Sequence, residues 1–307
     1  MLTSKQALLC DIFINQRENT TLEESTDPYY LKHLSPIRWN LLEWMNFSGD
    51  EAILEIGGST GLMTQFFCEK ARKVISVVED SGEAYVNGIR NRSYKNLSIC
   101  TPKVESIPEY SQWTEEIYME SLEGCAESFN LVAMIGVGES VLSYLNTICS
   151  KKEDSGTIAD PFLSALKFAA LALKSNGRLI LALNNRIGLQ YFAGKTDAAC
   201  PHLFDSIQKN RESRQEYSFT KNRLDAMLES AGFQNLEYFY PVPDYLYPSM
   251  LYSDRYLPKA GDVRPTSTHY DQERYQFFDE KKAFDSLCED GLFDVFANSF
   301  LVLAERS

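Results

Sequence analysis

The sequence predicts an α/β protein built on a doubly wound, mostly parallel sheet of about seven strands with an antiparallel last strand. Three observations predict it. Short apolar runs alternate with helix-like stretches from residue 52 to residue 183, the pattern of strands joined by crossover helices. The run Leu179–Leu183 is continuously apolar, which suits a strand buried on both faces. The first run, Ala52–Ile56, ends in Gly57-Gly58-Ser59-Thr60-Gly61 and passes directly into a helical stretch. N-terminal helices and a C-terminal insertion or cap complete the expected architecture.

Residues 1–50 read as a polar helical lid or packing segment, with Ile37, Leu41 and Trp44 at helical spacing. The domain of the sheet is expected over 51–240. Its second strand is Val74–Val78, closing on Glu79-Asp80, and a short third is Leu97–Cys100. The fourth, Leu131–Ile135, ends at Gly136. A charged loop, Lys151 to Gly156, precedes a helix with Asp160 as N-cap and Pro161 in its first turn, which Gly177 is expected to end. After the fifth strand, 178–183, come a helix over Lys221–Ala231 stopped by Gly232, a strand over Leu236–Tyr240, and a final strand within 299–307. The 241–298 stretch is too long for a hairpin turn and is expected to be an insertion or cap.

Composition narrows the function classes. There are 30 Lys+Arg against 43 Asp+Glu, a net charge of −13, which disfavours nucleic acid as a partner. Seven scattered cysteines form no C-x-x-C pair, so no metal site is expected and reduced, mostly buried thiols are. No apolar stretch approaches the roughly 20 residues that span a bilayer, so membrane insertion is not expected and a cytoplasmic location is. Oligomeric state leaves no mark in the sequence.

The glycine turn is the most informative segment. Glycines after the first strand let backbone N–H groups approach a cofactor at a helix start. A dinucleotide fingerprint beginning at Gly57 needs glycine at positions 59 and 62, where Ser59 and Leu62 stand. What remains is Glu55 two residues before Gly57, a glycine at each end of the turn, and Glu79, 18 residues beyond Gly61. A carboxylate at the end of the second strand can accept hydrogen bonds from both ribose hydroxyls, with Asp80 in reserve.

This arrangement resembles motifs I and II of class I S-adenosyl-L-methionine-dependent methyltransferases, whose turn reads E/D-x-G-x-G-x-G, with Ser59 replacing the middle glycine. The resemblance implies a Rossmann-like fold with S-adenosyl-L-methionine as cofactor, held by Glu55, Gly57, Gly58, Ser59, Gly61, Glu79 and Gly136. Further segments, Leu34–Arg38, Leu131–Glu139, Asn185–Gly194 and Tyr252–Pro258, are similar to methyltransferases encoded beside glycosyltransferases in bacterial surface-polysaccharide clusters. Those relatives carry an acid where Asn184 stands and an Asp-His pair where this chain has Lys195 to His202.

The resemblance implies methyl transfer to oxygen or nitrogen of a small-molecule or saccharide acceptor. Ligands of such sheets sit beyond the strand C-termini, so Glu139 or His202 is a candidate base and Arg186 a candidate for orienting an acidic group. Each has an ordinary alternative: Glu139 as a helix cap, Arg186 in a structural pair, His202 in a loop. His33 and His269 are expected at the surface or in packing. Seven aromatics between Tyr238 and Tyr256 suit sugar stacking, the inner lining of a cap over the active site, or a packed loop. A non-catalytic scaffold that kept the fold, and an NAD-dependent enzyme, are the competing functions.

Overall fold

A computed structural model of the chain describes residues 2–101, 118–119, 122, 124–149, 160–196, 202–208, 217–264 and 274–307. The loop over 151–156, Cys200 and His269 lie outside the described residues.

Among the described residues, ten strands form one sheet. In chain order they are β1 (Ala52–Ile56), β2 (Lys73–Val77), β3 (Leu97–Cys100), β4 (Tyr118–Met119), β5 (Phe129–Ile135), β6 (Leu173–Asn185), β7 (Ser218–Phe219), β8 (Phe233–Val242), β9 (Met250–Ser253) and β10 (Ser299–Arg306). The order is β4-β3-β2-β1-β5-β6-β10-β8-β9, with β7 beside the end of β6. Pairings from β4 through β6 are parallel, whereas β10 runs antiparallel to both its neighbours, β6 and β8. This is the expected Rossmann-like architecture. The short strands β4, β7 and β9 are its additions.

Alternation along the strands feeds two cores. Leu54, Ile56, Val132, Met134, Leu179, Leu181, Phe300 and Val302 face one layer. It is completed by α6 (Glu139–Cys149), α7 (Pro161–Ala172), α10 (Lys221–Ser230), α11 (Glu280–Glu289) and α12 (Phe293–Phe296). Ile53, Leu131, Ala133, Ile180, Ala182 and Leu301 face the other, against α4 (Leu62–Lys70) and α5 (Ser81–Arg90). Burial on both faces explains why these strands read as unbroken apolar runs.

The N-terminal segment supplies α1 (Ser4–Ile14), α2 (Glu18–Glu24) and α3 (Pro28–Leu34). Helix α1 buries Leu9, Ile12 and Phe13 against Tyr85, Val86 and Ile89 of α5. The expected helix over residues 36–44 is instead a short 3-10 helix, Pro36–Leu41, started by Ser35 and Pro36. Trp39 rather than Trp44 makes its anchor, donating from Nε1 to the Leu62 carbonyl at 3.0 Å.

Gly177 does not end α7. The helix stops at the extended Leu173, where β6 begins, and Gly177 follows Asn176, whose φ is +62°, in a bulge of that strand. Between the pairs Phe129↔Leu173 and Leu131↔Arg178, β6 spends extra residues that β5 lacks. The stretch after residue 240 is built into the fold. Strand β8 runs on to Val242, and β9 turns back to pair with it as the sheet edge. Phe284 and Phe293 enter the main core. Two short helices, α8 (Leu189–Phe192) and α9 (Asp205–Gln208), follow β6.

Candidate functional site

The glycine turn closes over a buried polar network. Glu55, the last but one residue of β1, is 4% exposed, and its Oε2 accepts from Thr64 Oγ1 at 2.5 Å and Ser76 Oγ at 2.7 Å. Asn87 of α5 donates to Thr64 Oγ1 at 3.0 Å and to the Ser59 carbonyl at 3.3 Å. Burial pushes the Glu55 carboxyl up to about 7, against the pull of its two hydrogen bonds. Gly58 lies on this network so closely that a Cβ there would stand 1.9 Å from Ser76 Oγ. Gly61, at φ +88°, caps α4 in the left-handed region with Asn91 Nδ2 and Asn87 Oδ1 against it.

The turn's glycine amides are used internally rather than presented to a ligand. Gly57 and Gly58 both donate to the Val77 carbonyl, at 2.9 and 3.2 Å, and Gly61 donates to Gly58 at 2.9 Å. A phosphate-binding glycine loop offers such amides to the anion. This turn instead fastens β1 to the end of β2 and brings its backbone close to whatever lies above it. Ser59 takes φ +44°, the conformation a glycine would adopt, at a cost of about 1 kcal/mol.

Two residues beyond Val77 stands Glu79, half-buried, its carboxyl raised by burial and by the neighbouring Glu83 and Asp80. Asp80 is committed elsewhere: its Oδ1 caps α5 by accepting from Glu83 N at 2.7 Å and also accepts from Gln6 Nε2 at 3.0 Å. Glu79 is therefore the acid at this strand end whose side chain is not spent on a helix cap.

Above the turn opens a cleft of about 90 Å³. Glu55, Gly57, Gly58, Ser59 and Gly136 line it. The opposite wall comes from Lys32, His33 and Arg38 of the N-terminal segment, which the sequence did not single out for the site, and from Tyr245, one of the seven aromatics, and Leu246 after β8. His33 had been expected at the surface or in packing. Its Nδ1 is 2.8 Å from Thr60 Oγ1, its ring lies against Tyr29, and burial lowers its pKa to about 3, so it is neutral at neutral pH. A Ser-Pro-directed turn after α3 brings this wall over the glycine turn.

The remaining candidates lie elsewhere. Glu139 opens α6, where an acid complements the helix dipole. Arg186 donates from Nη1 to the Ile207 carbonyl at 3.0 Å, while Ser206 Oγ donates to its carbonyl at 3.2 Å, tying β6 to α9. His202 is exposed just before α9. None of the three lines the cleft, and neither do Gly61 and Glu79 among the cofactor candidates. Of the aromatic run, Tyr238 and Tyr240 are buried in the core, 3% and 0% exposed, and Tyr245 is the member at the cleft. Stacking on sugar rings therefore finds no exposed platform in Tyr238 or Tyr240. The Asn185–Gly194 segment does structural work: Asn185 Nδ2 donates to Val295 and Ala297 carbonyls, both at 2.8 Å, and Asn298 Oδ1 accepts from Gln190 N at 2.9 Å.

Among the described residues no group of three or more His, Cys, Asp or Glu is arranged to hold a metal ion, and no helix is long and apolar enough to cross a membrane. No protein-family profile matches the chain, and no curated protein matches it. Solved structures do. One is a SAM-dependent methyltransferase from Thermotoga maritima, described as a possible histamine N-methyltransferase, at 14% identity over 98% of this chain and 99% of that one, with a TM-score of 0.45. Another is phosphoethanolamine N-methyltransferase 1 from Haemonchus contortus, at 12% identity over 99% of this chain and 50% of that one, TM-score 0.48. A third, a SAM-dependent methyltransferase from Archaeoglobus fulgidus, is 11% identical over 89% of this chain and 95% of that one, TM-score 0.46.

Proposed function

We propose that the chain is an S-adenosyl-L-methionine-dependent methyltransferase acting on an oxygen or nitrogen of a small polar acceptor. The observation that carries this reading is the pairing of Glu79 with a glycine turn whose glycine amides are bonded internally. An acid at the end of β2 suits a ribose diol. A turn that keeps its glycine N–H groups for itself suits a nucleoside without a pyrophosphate, which counts against NAD.

In this reading Glu79 accepts from the ribose hydroxyls, Ser59 and Gly136 border the amino-acid end, and the N-terminal segment excludes water from above. When bound, the cofactor supplies an electrophilic methyl group for an in-line displacement. Holding two reactants in a near-attack geometry needs no covalent intermediate and can contribute several kcal/mol. A saccharide acceptor and a role in surface-polysaccharide synthesis, at a cytoplasmic location, belong to the same proposal and rest on the sequence resemblance.

Calorimetric titration with S-adenosylhomocysteine tests the reading, alongside Glu79→Ala and an NAD control. Micromolar or tighter binding, weakened at least roughly tenfold by Glu79→Ala, is expected and justifies an acceptor screen. Well-folded protein that binds NAD instead, or neither ligand, overturns it.

A further inference from the structure

The wall opposite the glycine turn is cationic. Lys32, in the last turn of α3, and Arg38, in the 3-10 helix that follows, both line the cleft. Arg38 Nη2 donates to the Lys32 carbonyl at 3.2 Å, which keeps the two on one wall. Their backbone is anchored from behind, where Arg90 Nη1 donates to the His33 carbonyl at 2.6 Å. His33 between them is neutral, since burial lowers its pKa to about 3.

The cleft itself offers little negative charge in return. Among its described lining residues Glu55 is the one carboxylate, and its Oε2 is bonded behind the turn to Thr64 and Ser76. Glu83 of α5, whose carboxyl burial raises and Lys32 pulls down, stands outside the lining, as do Glu79 and Asp80. Met63, Ile135 and Leu246 make apolar parts of the walls.

A methyl donor does not balance this wall. The reacting end of S-adenosylmethionine carries a sulfonium and an ammonium against a single carboxylate, so donor and wall together hold more positive charge than negative. Such charges act on one another more strongly in a cleft than in water, and the cleft concentrates an anion that would offset them. We propose that the acceptor is an acid, a small molecule whose carboxylate or phosphate is held by Lys32 and Arg38 while its nucleophilic oxygen or nitrogen faces the methyl group. Transfer breaks the bond from the methyl carbon to sulfur, leaves that electron pair on sulfur, forms the bond to the acceptor atom and releases that atom's proton to solvent. The acid group is unchanged. The proposal rests on the methyltransferase reading and names its substrate class.

The test is calorimetry of protein saturated with S-adenosylmethionine and titrated, at constant ionic strength, with inorganic phosphate and separately with acetate. Wild type, Lys32→Gln, Arg38→Gln and Arg38→Lys are compared, each checked for a cooperative melt. Wild type should bind at least one anion, each glutamine variant should weaken that binding at least fivefold, and Arg38→Lys, which keeps the charge, should recover most of the loss. Which anion binds tells a phosphorylated acceptor from a carboxylated one. Neither anion bound, or glutamine variants that bind as tightly as wild type, overturns the proposal and leaves the methyltransferase reading intact. The same proteins are titrated with S-adenosylhomocysteine and with 5′-methylthioadenosine, which lacks the amino-acid end. Glutamine variants that lose affinity for the first and keep it for the second have the cations holding the donor's own carboxylate, and that result also overturns the proposal. Wild-type protein that binds no S-adenosyl ligand overturns both readings.

Discussion

Gly58→Ala probes the buried network beneath the glycine turn. The added Cβ would stand 1.9 Å from Ser76 Oγ, 2.8 Å from Glu55 Oε2 and 3.1 Å from Thr64 Oγ1. Gly58 lies outside the left-handed region, so crowding alone sets the penalty. All three neighbours are buried, and the Ser76 hydroxyl must turn away, giving up its 2.7 Å bond to Glu55. A hydrogen bond to a charged group contributes about 1.5–3 kcal/mol, and overpacking a tight site costs about 1–3 kcal/mol. Lower chain entropy in the unfolded state offsets about 0.4–1 kcal/mol. The variant should lose roughly 2–4 kcal/mol in urea unfolding, with an unchanged m-value. Ser76→Ala removes the clashing atom, so the double variant should be more stable than the sum of the single losses by at least about 1 kcal/mol. A Gly58→Ala loss under about 0.5 kcal/mol, or strict additivity with Ser76→Ala, refutes the close approach.

Three other outcomes follow from the same geometry. Burial raises Glu55 to about 7 in the folded protein, so its contribution to stability is fully present below the unfolded pKa near 4.5 and is lost as pH rises through 7. His33, lowered by burial, works in the opposite sense, so the measurement is a difference: the stability of Glu55→Gln minus wild type should grow by roughly 2–3 kcal/mol between pH 5 and 8, and a flat difference contradicts the burial. Glu79 is also raised and must ionise to accept from two hydroxyls, so affinity for S-adenosylhomocysteine should increase with pH in wild type and stay level in Glu79→Gln. Asp244→Ala removes a carboxylate 3.4 Å from the Lys195 ammonium, 9% exposed, and the acceptor of the Leu246 and Tyr247 amides, and should cost roughly 3 kcal/mol by chemical denaturation.

The sheet was readable because its strands are buried on both sides, so that Ile53 to Ile56 and Leu179 to Leu183 carry apolar residues toward two helix layers at once. Capping chemistry was equally local: Asp160 with Pro161, and the stop near Gly232, are written in adjacent residues. Gly177 misled because a glycine after a helical run resembles a C-cap, whereas here it follows a left-handed Asn176 inside a strand bulge that tertiary pairing creates. The glycine-turn side of the candidate site was legible as a contiguous segment. Its opposite wall was not, since Lys32, His33 and Tyr245 reach it from distant segments. Pro36 and the Ser35 cap were visible hints that the chain turns there, and they point to His33 only once α3 is known to cross the glycine turn. Tyr238 and Tyr240 were indistinguishable by composition from Tyr245; strand alternation in β8 sends the first two into the core.

The place of β10 bears on how the molecule is made. It is the last of the ten strands to emerge during synthesis, yet it sits inside the sheet, bonded to β6 on one side and β8 on the other. Until it arrives, both partners present open edges, with Leu179 to Leu183 and Tyr238 to Tyr240 unprotected. Its pairing with β6 spans more than a hundred residues, so the closing step is of high contact order and slow. A nascent chain therefore passes through a stage in which the β1–β5 half can be complete while the sheet is still split. That stage is where chaperone capture or edge-to-edge aggregation would act, and where losses at Phe300 or Val302 would be felt as yield rather than as altered catalysis.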